Sequence, residues 1–191
     1  MRPLYPELSS KPVAQPPLGP RTIERFCDLL TRYLEEARAQ YIYFAHPLER
    51  EMQEALAPFF HKEILEHSLF APAHPHLKNP DFYPELRRMG IKGLIDLRMV
   101  TAIAFKDIVV YQEKITLRSI FHELVHLEQY RQLGAHNFIH QYVQGFFAGG
   151  CYEAIPLETQ AFDLDTRFHN APLEFFNVED EVGRLAHQHQ T

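Results

Sequence analysis

His122, Glu123 and His126 lie in the run Phe121-His122-Glu123-Leu124-Val125-His126, an HExxH pattern. On a helix, residues four apart differ by about 40° in angle and about 6 Å along the axis, so both imidazoles can reach one metal ion. The intervening carboxylate points beside that ion. Zinc held by two neutral imidazoles and a third protein ligand keeps one coordination position open, where water is acidified toward a pKa of about 7 and a nearby carboxylate can take its proton. Metal-assisted hydrolysis is the chemistry these residue types suit. In a chain with 12 His among 191 residues, chance alone places such a pattern in roughly 7% of sequences, so its surroundings must decide.

The elements around the motif favour a built site. A helix is expected over residues 116 to 133, ended by Gly134. At 100° per residue, Leu117, Ile120, Phe121, Leu124, Val125 and Leu127 fall within an arc of about 160°, with His122 and His126 opposite. The helix therefore has a core face and a histidine face. Glu128 falls inside the apolar arc, with Arg131 and Arg118 as partners at helical spacing.

A catalytic zinc site needs a third protein ligand. The metzincin continuation requires Gly at 129 and His at 132, and both positions are Gln. Downstream candidates are His136, His140, Glu153 and Glu158. His136 and His140 follow the helix terminator with little chain to turn back. Glu158 sits on the first turn of a later helix, far enough along for a loop to return it over the histidines, and it is favoured.

Upstream, six prolines in residues 1–20 mark an extended arm, and residues 21–191 suit a single domain. Apolar residues from Ile23 to Ala37 recur at helical spacing after Thr22, read as an N-cap. A second helix starts at Pro47 and runs to Ile64, divided at Pro58. Residues 71–80 read as a loop and residues 81–89 as a short helix closed by Gly90, so residues 21–90 are expected to be helical. Residues 101–105 and 108–111 form a hairpin around Lys106-Asp107. After a short helix near residues 138–147 and a break at Gly149-Gly150, Pro156 starts the helix that carries Glu158. The tail after Pro172 is polar and weakly patterned. The fold class is α+β, mainly helical, with a small sheet or hairpin packed on the motif helix.

A net charge of −6 without a Lys/Arg cluster argues against nucleic acid or an anionic membrane surface as partner. Apolar stretches are far too short for a membrane span, the N-terminus lacks an apolar signal core, and Cys27 and Cys151 read as reduced thiols; a cytoplasmic protein is expected. His74 and His76 flank Pro75 in a loop, His187 and His189 lie in the polar tail, and His46, His61 and His67 have no ligand spacing.

The run His122 to His126, followed by Gln129-Tyr130, Leu133-Gly134 and Ile155-Pro156-Leu157-Glu158-Thr159-Gln160-Ala161, resembles gluzincin metallopeptidases, particularly small bacterial proteins of minimal zincin type. The resemblance covers residues 94–168. It implies a zincin-like fold, Zn²⁺ held by His122, His126 and Glu158 in its ExxA context, and a peptide or protein substrate. It further implies Glu123 as general base, Tyr142 or Tyr152 as oxyanion donor, and a hairpin strand that binds extended substrate. Many gluzincins place an Asp four residues after the ligand Glu to hold a ligating His; here position 162 is Phe, which leaves Asp163 and Asp165 as candidates. Rival expectations are a zinc-binding regulatory or protein-interaction module on the same scaffold, and a deformylase-type site, for which the upstream Cys27 is badly placed.

Overall fold

Pro20 presets φ for a first helical turn, and the chain enters α1, Pro20–Tyr41, with Gly19 rather than Thr22 at the N-cap. This is the arrangement in the computed structural model, which describes residues 12–74, 76–112 and 114–188. Residues 1–11 of the proline-rich arm and His189 lie outside that set. The described part of the arm, residues 12–19, lies against the domain: the Val13 amide donates to the Gly150 carbonyl, and Gln15 exchanges two hydrogen bonds with the Lys92 backbone.

Pro58 divides the second helical region as its ring requires, giving α2, Arg50–Leu56, and α3, Lys62–His67. The short helix before Gly90 is α4, Tyr83–Arg88, and Gly90 takes the positive φ of a helix terminator. The expected hairpin forms as strands Ala102–Phe105 and Ile108–Tyr111, antiparallel around Lys106-Asp107.

The region read as all helical also contains two strands. His46–Pro47 is β1 and Leu69–Pro72 is β2, so the hairpin strands are β3 and β4. The sheet is mixed, in the order β1-β2-β4-β3, with β2 parallel to β4. Parallel pairing joins segments distant in sequence and leaves no turn signal, which is why Leu69-Phe70-Ala71 did not read as a strand. Both faces of the sheet are covered. Ala71, Ile108 and Val110 join one core with α1 and α4, whereas Phe70, Ala104 and Val109 join a second with α2 and α3.

The motif helix is α5, Leu117–Gly149, capped by Thr116, whose hydroxyl accepts from the Ser119 amide at 3.1 Å. Gly134 leaves helical geometry at φ 73° and ψ 155°, so α5 is two helical segments meeting at an angle. The second segment runs through the residues read as a short helix. Glu158 lies on α6, Pro156–Asn170, after a 3₁₀ turn at Tyr152–Ala154. The tail read as weakly patterned forms α7, Val178–Gln188. Val178 and Val182, one turn apart, are both buried, and the Asn177 side chain accepts from the Glu179 amide.

His122 and His126 are 0% and 5% exposed, so the histidine face opposite the apolar arc is closed over by α6. Phe121 stacks on Phe168 of α6 at 4.4 Å, and Phe59 and Phe60 pack edge-on against Phe121. This aromatic wedge, one residue from His122, fixes the two helices that carry the site.

Candidate metal centre

Two glycines let α6 approach α5. A Cβ on Gly145 would lie 2.7 Å from the Pro156 ring, and one on Gly149 would lie 2.6 Å from the Ala154 side chain. Their absence sets the position of the first turn of α6 and, two residues after Pro156, of Glu158. The His122 and His126 Nε2 atoms are 3.1 Å apart, and Glu158 Oε2 is 3.4 and 3.3 Å from them. Of the four candidates for third ligand, Glu158 is the one that joins the histidines.

The remaining candidates lie outside that cluster. His136 and His140 stack on each other at 4.3 Å, with His140 facing Glu24, and Glu153, on the 3₁₀ turn, is not among the convergent ligand atoms. Cys27 is buried in α1 and is not among the convergent ligand atoms.

Each imidazole is oriented through its other nitrogen. His122 Nδ1 donates to Asp165 Oδ2 at 2.8 Å, and Asp165 Oδ1 in turn accepts from Arg118 Nε and Nη2 at 2.8 and 2.5 Å. His126 Nδ1 donates to Gln129 Oε1 at 2.8 Å; the Gln129 amide then donates to the Leu157 carbonyl and to Gln160. Both Nδ1 protons are thereby placed, and both Nε2 lone pairs face inward. Asp165, not Asp163, holds the histidine. Arg118 serves Asp165, while Glu128 is paired with Arg131 and Gln132. Gln129 and Arg118 were not read as site residues. The signal for Gln129 was its position one turn after His126, within reach of the ring nitrogen that faces away from the metal.

Three electron-rich atoms at 3.1–3.4 Å form a poor arrangement unless a cation sits among them. For a tetrahedral zinc with ligands at about 2.05 Å, the ligand atoms are about 3.3 Å apart, so the triangle has the size zinc requires. Glu158 Oε2 is buried and faces the two Nε2 atoms, while its Oε1 accepts from the Tyr142 hydroxyl at 3.1 Å. The residues therefore suit a metal ion. Electrostatics agree: burial favours a neutral His122, yet hydrogen bonds to Asp165 and Glu158 and the charge of Glu123 outweigh it and push the imidazole up to about 10. Glu158 is desolvated too, but the two histidines hold its carboxyl below the ordinary range. The site draws positive charge.

Glu123 is 2% exposed and, with His126, Glu158 and Tyr152, lines one end of a cavity that continues between α1, α4 and β3. Tyr142 also reaches this cavity, but its hydroxyl is committed to Glu158. No helix among the described residues is long and apolar enough to cross a membrane. No protein family matches the chain, nor does any curated protein or any solved structure.

Proposed function

We propose that the protein is a zinc metallopeptidase of gluzincin type. The observation that carries this reading is the inward triangle of His122 Nε2, His126 Nε2 and Glu158 Oε2, with each imidazole locked through Nδ1 and Glu123 beside it. Zinc held there supplies Lewis-acid polarisation of a carbonyl and acidifies water. Glu123 takes a proton from the attacking water and delivers it to the leaving amine. Of the two phenols considered as oxyanion donors, Tyr142 holds Glu158, so the role falls to Tyr152 on the cavity wall. β3 is the outermost strand of the sheet and its Ala102, Ile103 and Ala104 line the same cavity, which supports an extended peptide bound by strand addition. A module that only stored metal would have no use for a buried carboxylate at 123.

Metal analysis and peptide hydrolysis by untagged protein test the reading. Wild type is expected to carry about one zinc per chain, Glu158→Ala to lose it, and Glu123→Gln to keep zinc and lose hydrolysis. Zinc unaffected by Glu158→Ala would refute the ligand set. Zinc retention with no hydrolysis in wild type would favour the regulatory module.

A further inference from the structure

The cavity beside the triad extends far beyond what the chemistry needs, and its composition is one-sided. Phe26 and Leu34 of α1, Phe82 at the start of α4, Ile103 of β3, and Val143 and Phe147 of α5 form its walls, and among the described residues no Lys, Arg or Asp lines it. Among the described residues its ionisable groups outside the triad and Glu123 are tyrosines, and desolvation pushes the Tyr33 and Tyr83 phenols up, as expected for a space of low polarity. Its volume is about 160 Å³, and a cavity of about 150 Å³ with Leu, Ile and Phe walls takes up a benzene ring.

From this we propose, resting on the peptidase reading, that the substrate is an internal peptide segment with a large uncharged apolar side chain next to the scissile bond. Phenylalanine and leucine fit; lysine, arginine and aspartate would be stripped of water, and the charged groups of the described lining, Glu123, His126 and Glu158, are those of the metal centre. A free α-carboxylate is excluded for the same reason, because nothing in the lining neutralises it, so cleavage is internal. Much of the pocket comes from α1 and α4, segments that the sequence resemblance does not reach.

Two measurements separate this inference from the activity. In the first, N-acetyl amides of phenylalanine, alanine and lysine are titrated into metal-free protein and followed by NMR. The phenylalanine amide is expected to bind at least about tenfold more tightly than the alanine amide, with shifts at Ile103 and Val143, and the lysine amide not to bind. Leu34→Trp, which fills a partly exposed wall of the cavity away from the triad, is expected to abolish that preference. Leu30→Phe is the milder substitution if Leu34→Trp fails to fold. In the second, internally quenched peptides varied at the residues flanking the cleaved bond are expected to show the same order in kcat/KM.

Binding of the phenylalanine amide without hydrolysis of any peptide would remove the peptidase reading and leave the pocket assignment standing. Hydrolysis indifferent to side-chain size, preference for a charged side chain, or amide binding unchanged in both filling variants would overturn the assignment. Release of single C-terminal residues would overturn the internal-cleavage part.

Discussion

Asp165→Asn isolates what the Arg118–Asp165–His122 chain contributes. The carboxylate is fully buried and uses one oxygen for Arg118 and the other for His122 Nδ1. An amide offers one acceptor and one donor group, so whichever partner loses its oxygen then faces an N–H. If Arg118 loses it, a guanidinium whose side chain is only 15% exposed keeps its charge without the carboxylate. Breaking such a pair costs about 3 kcal/mol, the lower end of the usual range because Arg118 retains some solvent. For a chain of this length that lowers Tm by about 6–12 °C. Loss of the group that orients a ligating histidine weakens metal binding by about 10- to 100-fold. Thermal melts of metal-free protein read the first effect, and zinc titration against a competing chelator below the melting range reads the second. Asp163→Asn, at an exposed position on the same helix, is the control and should change neither. A folded Asp165→Asn variant that binds zinc within about threefold of wild type would refute the claim that Asp165 sets the geometry of His122.

Gly145→Ala places a Cβ 2.7 Å from the Pro156 ring and forces a shift of about 0.7 Å to reach the 3.4 Å of ordinary contact; chelator competition should show zinc affinity down about tenfold, with stability lower by about 1–3 kcal/mol. Lys106 holds φ at 65° in the two-residue β3–β4 turn, so Lys106→Gly should raise the urea midpoint, by about 0.5–1 kcal/mol in stability. The Asp107 carboxyl is held below its ordinary value by its hydrogen bond to Arg38, against the opposing effect of burial. That pair therefore stabilises the fold above about pH 4, and the contribution is lost as pH falls through the depressed folded-state value; Asp107→Asn should flatten the dependence of Tm on pH below about pH 4. Zinc at 100 times its Kd should stabilise the fold by about 2.7 kcal/mol, or about 5–11 °C in Tm, reversed by EDTA and absent in Glu158→Ala; an unchanged melt with added zinc would count against the metal centre.

Local patterns carried most of the secondary structure, because Pro20, Pro58, Gly90, Gly134 and Pro156 each impose a backbone constraint that needs no tertiary partner. What was illegible depends on distant chain. β2 is a strand because β4 lies alongside it, and α7 is held against α5 by the pairing of Glu179 with Arg131 as well as by its buried valines. The same division runs through the site. HExxH is a helical spacing and was visible, and Glu158 followed from the length of chain needed to return. Choosing Asp165 over Asp163 requires the rotation of α6 about its axis relative to α5, which is set by Phe121 against Phe168 and by Gly145 against Pro156. How completely α6 covers the histidine side of α5 is likewise a tertiary fact that a single helix does not carry.

Charge explains why the site is poorly described as a cluster of buried histidines. Glu123, Glu158 and Asp165 are each at most 3% exposed, and Arg118 pairs with Asp165. With both imidazoles neutral, three carboxylates and one guanidinium leave two negative charges in a region where each isolated ion costs several kcal/mol. A proton on His122 supplies one positive charge, and the push of that imidazole up to about 10 is the electrostatic demand expressed through the one ion always available. A dication supplies both charges at once. It also uses the two Nε2 lone pairs that the Nδ1 hydrogen bonds to Asp165 and Gln129 turn inward. Protonation of one Nε2 would direct its N–H at the other at 3.1 Å and leave the second negative charge unmatched. The hydrogen bonds outside the triangle and the charge within it therefore both suit the divalent metal ion proposed above, and that agreement does not depend on recognising the HExxH motif.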